Sequence, residues 1–183
     1  MSYDHLADLP LVDLPPAFVA FHEQYYLSYC EYATLLLGNK DEAIEVVDDL
    51  FTHLAINWAR LMGTESPMAK AWAMLKIVVT AHLDAYERQR AVAETALFRK
   101  ALDRARDEFE IMESTIGLYT AIAGLSGRLF DVVVLRYVLG YPNQRIAAIM
   151  AIEETTVRTH LYQARRKLAR DLGIDRHHQI DPS

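Results

Sequence analysis

The chain has 183 residues, 52% of them apolar and 24% charged, with a formal net charge of −6. That composition excludes the low-hydrophobicity class of disordered chains, and only 7 glycines and 6 prolines leave room for few turns, so an all-α protein of one medium or two small domains is expected. One cysteine, Cys30, excludes an intramolecular disulfide, and the most apolar stretch, residues 68–83, carries Lys70, Lys76 and His82 and is too short to span a bilayer.

Residues 1–16 hold three prolines without a helical period and read as an irregular arm over 1–15; with no basic-then-apolar start, a signal peptide is not expected. A cytoplasmic location without membrane attachment follows as the expectation. A helix is predicted over 16–37, ended by Gly38 and Asn39. Cys30 lies among Tyr29, Tyr32 and Leu35 and reads as a small buried apolar residue. Asp41 is the predicted cap of a second helix over 41–62, whose apolar stripe is Ile44, Val47, Leu50, Phe51, Leu54, Ile56 and Trp58. Asp41, Glu45, Asp48 and Asp49 fall opposite that stripe, so a solvated or partner-facing acidic face is expected there rather than a metal site. Residues 63–67 form a loop. A third helix is predicted over 68–90, with Trp72, Leu75, Ile77, Val78, Val79 and Leu83 as its apolar positions. Residues 91–118 are polar with helical propensity and read as a linker, partly helical or not. The second compact unit spans 119–172, and 173–183 is a tail whose His177 and His178 lack a third ligand nearby. No metal and no cofactor are expected.

Charge is distributed unevenly. Residues 1–90 carry 13 acidic and 6 basic side chains, whereas residues 125–170 carry 3 acidic and 8 basic ones. A basic block in an acidic chain is the electrostatic footprint of nucleic-acid binding. Within it, Pro142 and Asn143 open a short helix with Ile146, Ala147 and Met150 on its inner face. Ala151, Ile152 and Glu153 make a turn, and a second helix starts near Glu154. Val157, Leu161, Ala164 and Leu168 recur as one inner stripe. The outer face presents Thr155, Thr156, Arg158, Thr159, Tyr162, Gln163, Arg165, Arg166 and Lys167. This is the pattern of a helix-turn-helix: an apolar side to anchor the recognition helix, and donors for base edges and phosphates on the other. Glu153 and Glu154 suit the helix dipole but repel phosphates.

The segment LSGRLFDVVVLRYVLGYPNQRIAAIMAIEETTVRTHLYQARRKL from Leu125 resembles region 4 of the extracytoplasmic-function (ECF) sigma factors of bacterial RNA polymerase. The resemblance rests on Leu125, Arg128, Val133, Leu135, Arg136, Ile146, Ala147, Thr156, Val157, Arg158, Arg166, Lys167 and Leu168. The turn holds Ala151 where the family has Gly. More loosely, AIEVVDDLF from Ala43 and AWAMLKIVVTAHLDAYERQR from Ala71 resemble region 2.

The resemblance implies two small helical domains: a region 2-like three- or four-helix bundle over 16–90 and a region 4-like helix-turn-helix domain over 119–172, joined by the linker. It implies a non-enzymatic transcription initiation factor. Region 4 would read the promoter −35 element through Thr155, Thr156, Arg158, Thr159, Tyr162, Arg165, Arg166 and Lys167, and touch the β flap. Region 2 would grip the β′ clamp helices through Glu45, Asp48, Asp49 and Phe51, and contact the −10 element through Lys76, His82, Tyr86, Arg88 and Arg90. Core RNA polymerase, promoter DNA and an anti-sigma factor are the implied partners. Asp48 stands where the family has Gln, Thr80 or Ala81 where it has Asn, and the base-capturing loop reads GTESP from Gly63 with an acidic Glu65. Such an acidic region 2 leaves open a sigma-like regulator that binds DNA or a protein partner without melting promoters, and the Thr156–Val157 start of the second helix is also similar to that of response-regulator-type transcription factors.

Overall fold

The computed structural model describes residues 14–85 and 115–173. All regular elements among them are helical, and they form two units. The expected all-α, two-domain fold is therefore observed.

The first unit starts with α1 (Pro16–Leu37), where Pro at the first helical position costs no hydrogen bond. Gly38 ends it in the left-handed conformation (φ 72°), its N–H donating to the Thr34 carbonyl. Helix α2 (Lys40–Ile56) follows at once. Its cap is Asn39 rather than Asp41: the extended Asn39 backbone lets its side-chain oxygen accept from the N–H groups of Asp41 (2.9 Å) and Glu42 (3.3 Å). The single helix expected over 41–62 is broken at Asn57, whose backbone leaves the helical region (φ −104°, ψ 16°), and a five-residue helix α3 (Trp58–Met62) follows. The break turns Trp58 inward and leaves Ile56, counted in the inner stripe, 77% exposed. Helix α4 (Pro67–Ala85) closes the unit. Its Trp72, Leu75, Val79 and Leu83 are buried, whereas Ile77 faces solvent.

Aromatic rings fill the centre. Phe51 meets Phe21 in a stacked pair at 5.5 Å and touches Phe18, His22, Tyr26 and Tyr29 edge-on. Trp72 meets Tyr29 and Tyr32 at 5.6 and 4.7 Å. Offset and edge-on ring contacts add to area burial. Cys30 is buried as expected, and desolvation pushes its thiol up to about 11, which keeps it protonated and unreactive.

The second unit comprises α5 (Thr115–Ala123), α6 (Gly127–Val133), a π-helical segment (Val134–Val138), α7 (Asn143–Met150) and α8 (Glu154–Asp171). The π segment, marked by the Leu139 N–H donating to the Val134 carbonyl, continues directly from α6. It keeps Val134, Leu135 and Tyr137 all buried.

Candidate nucleic-acid interface

Helices α7 and α8 form the helix-turn-helix. Val157, Leu161, Ala164 and Leu168 of α8 are all buried, so the inner stripe read from the 3.6 period is the observed one there; in α7, Ile146 and Met150 are buried as read, Ala147 is only half-buried, and Ile149, not named from the sequence, is buried with them. Between the helices, Ala151 adopts φ 53° and ψ 50°. It is the one non-glycine residue at positive φ among the described residues. A left-handed alanine costs roughly 1–2 kcal/mol. The local reward is a closed turn, in which the Ile152 N–H donates to the Ala147 carbonyl at 3.0 Å. Ala151→Gly is therefore expected to raise the unfolding free energy of this unit by about 1 kcal/mol, read from the denaturant midpoint, with no change in DNA affinity.

The outer face of α8 points away from the core. Thr155, Arg158, Thr159, Tyr162, Gln163, Arg165 and Arg166 are exposed, and Thr156 and Lys167 are half-buried. Several of these cations are held by the protein itself. Arg158 donates to Glu154 one turn earlier, which gives the acidic start of the helix a purpose: it orients the arginine. Arg165 donates to the Tyr137 hydroxyl at 3.0 Å and lies over that ring. Lys167 pairs with Asp171 at 2.9 Å. Arg166 lies against the exposed Tyr162 ring, 6.0 Å from its centroid. The result is a row of pre-positioned donors on a convex helix, the shape that a DNA major groove admits.

The residues assigned to the N-terminal unit are spread out. Glu45 and Asp49 are exposed on α2. Asp48 accepts a 2.6 Å hydrogen bond from Tyr26 and is half-buried, not part of the open acidic face. The same contact, with desolvation as the larger cause, raises the Tyr26 phenol well above its ordinary value. Phe51 is only 3% exposed and belongs to the core, so it offers no surface to a partner. Lys76 pairs with Asp131 of the second unit at 2.8 Å. His82 faces Glu42 at 3.5 Å. Tyr86, Arg88 and Arg90, like His177 and His178, lie outside the described residues. Cations that the sequence reading passed over appear beside the 63–66 loop: Arg60 and Lys70 line a shallow hollow with His53, Asn57 and Leu61. Only the fold could reveal them, because they flank the loop from two different helices. Among the described residues no cluster of His, Cys, Asp or Glu could hold a metal ion, and no helix is long and apolar enough to cross a membrane.

Residues 116–168 match the family described as Sigma-70, region 4. The match takes in nearly the whole of the second unit, which is thus similar to a sigma-70 region 4 domain. The match covers α7, the Ala151 turn and α8 through Leu168, so the surface just described lies within the matched segment. It bears out the resemblance read from Leu125 onward. No curated protein matches the chain. Among solved structures, a similar chain is the sigma factor RpoE in its co-crystal structure with the anti-sigma factor NepR from Bartonella quintana, at 17% identity and a TM-score of 0.38, covering 88% of this chain and 100% of that one.

Proposed function

We propose that the protein is a transcription initiation factor of the ECF sigma type: it binds core RNA polymerase and brings it to promoters, region 4 reading the −35 element. The observation that carries this reading is the exposed row of Thr155, Arg158, Thr159, Tyr162 and Arg166 on the recognition helix of a region 4 domain. The N-terminal unit serves as the polymerase-docking and −10-contacting part. Its docking face is the exposed Glu45 and Asp49 with the rim of Asp48. Lys76 and His82 belong to its DNA side, joined by Tyr86, Arg88 and Arg90 as the sequence suggests and by Arg60 and Lys70 around the hollow. No step of covalent chemistry falls to this chain; the polymerase supplies it. An anti-sigma partner, as RpoE has in its complex, would belong to the same regulatory logic.

Co-purification with bacterial core RNA polymerase, followed by run-off transcription from a genomic library, tests the reading. Binding with discrete transcripts is the expected result, and absence of polymerase binding overturns it. A second reading, a sigma-like regulator that binds DNA without melting it, is favoured by one observation: the basic Lys76 of the N-terminal unit is already paired with Asp131. Binding to polymerase without transcripts from any promoter would select it.

The recognition helix itself is testable with duplex DNA. Arg158→Ala is expected to weaken binding to a −35-containing duplex by about 1–3 kcal/mol, measured by fluorescence anisotropy at fixed salt. Arg165→Ala should show a smaller DNA effect together with a loss of stability, because its guanidinium also supports Tyr137. Equal affinity of wild type and Arg158→Ala would remove that side chain from the readout.

A further inference from the structure

The two units are packed together, and the side-chain contacts across the seam are of a particular kind. Asp131 lies at the end of α6 in an apolar run and is 1% exposed. Two partners reach it from the other unit: the Tyr32 hydroxyl donates to one carboxylate oxygen at 2.7 Å and the Lys76 ammonium to the other at 2.8 Å. Further along, Arg145 of α7 donates to the Ser28 hydroxyl at 2.9 Å and to the Gln24 carbonyl, and lies over the Tyr25 ring at 5.6 Å. The Tyr141 hydroxyl donates to Glu31. Burial and that carboxylate push the Tyr141 phenol up to about 12.

A buried carboxylate contributes little net stability, but it is strongly selective for the arrangement that pairs it. Here that arrangement is the closed one. Parting the units would return Asp131, Lys76, Glu31 and Arg145 to water, where each is well solvated. Polar interfaces between domains are the ones across which relative motion is the general expectation. Closure also sorts the two DNA surfaces. The outer face of α8 stays exposed, while Lys76 has its ammonium bound to Asp131 and is two-thirds covered, with 34% of its side chain exposed.

We propose that the Lys76–Asp131 pair is an interdomain latch that holds the N-terminal unit closed on region 4 and keeps Lys76 from single-stranded DNA until the units part. The DNA half of this inference rests on the function proposed above; the latch itself does not. In the closed chain, region 4 is free to meet duplex DNA while the single-strand surface is locked.

Spin labels on Ala59→Cys and Ala123→Cys, both exposed positions in different units, read the separation by double electron–electron resonance in the full chain; the buried Cys30 stays unlabelled. Wild type should give a dominant short distance with at most a minor longer one. Asp131→Asn and Lys76→Gln should each add a longer population, and Arg145→Ala should do so from the other end of the seam. Should Asp131→Asn fail to fold, the partly exposed Lys76→Gln carries the test alone. In the same proteins, affinity for a mixed-sequence single-stranded oligonucleotide should rise about tenfold in Asp131→Asn if about nine wild-type molecules in ten are closed. Adding Lys76→Gln should abolish that gain, whereas adding Lys40→Gln, the same change of charge at an exposed lysine outside the pair, should retain it; equal loss in both double variants would mark a net-charge effect and overturn the guarding of Lys76. Folded variants with the wild-type distance overturn the latch. Longer distances with unchanged single-strand affinity overturn the guarding of Lys76 and leave the polymerase reading to its own test.

Discussion

Val157→Asp is expected to unfold the region 4 domain while leaving the N-terminal core intact. Val157 is fully buried at the start of the α8 inner stripe, against the α6 and α7 side of the domain. The substitution removes a side-chain burial worth about 1.5–3 kcal/mol and leaves an unpaired carboxylate in its place, at a cost of roughly 3–5 kcal/mol. A unit the size of residues 115–173 has a total stability of roughly 3–9 kcal/mol, so the loss is comparable to all of it. Trp58 and Trp72 both lie in the first unit, which gives the two halves separate signals. Far-UV circular dichroism should lose the helical contribution of the second unit, while a cooperative tryptophan-fluorescence transition persists at a lowered midpoint. DNA binding should vanish. Retention of full helicity would mean that α8 is not anchored through this stripe.

That stripe was legible in the sequence because periodicity reports a helix that buries one face. Val157, Leu161, Ala164 and Leu168 are buried at 0%, 8%, 0% and 0% exposure, and the outer face follows by subtraction. The same rule failed where an element's burial is set by neighbours on more than one side. Helix α1 has little amphipathic character because its C-terminal half is enclosed by its own unit and, at Tyr25, Ser28 and Tyr32, by region 4 as well. The break at Asn57 was hidden because Ile56 and Trp58 both fit an apolar stripe. The structure keeps only Trp58 inside, the Asn57 side chain donating back to the His53 carbonyl at 2.9 Å. The π segment left no trace, since Val132, Val133, Val134 and Leu135 are apolar at every place a helix of either pitch would bury. Asp131 left a faint one: a lone carboxylate before three valines demands a partner. Nothing local names it, because Lys76 and Tyr32 are 55 and 99 residues away in the chain.

For the N-terminal unit, the structure places Phe51 in the core and Asp49 on the surface of the same helix. Phe51→Ala is expected to cost about 3–5 kcal/mol, because the ring is 3% exposed and in contact with five other rings. Asp49→Arg, one turn of mind away in sequence but exposed on the far face, should change stability by no more than about 0.5 kcal/mol. Their effects on polymerase should therefore dissociate. Asp49→Arg should weaken capture of core polymerase in a protein whose thermal midpoint is unchanged. Phe51→Ala should lower the midpoint strongly, and at temperatures where the variant is still folded it should bind polymerase as wild type does. If instead folded Phe51→Ala loses polymerase while Asp49→Arg keeps it, the acidic face is not the docking surface. The contact would then have to run through groups that become accessible only when the aromatic core rearranges.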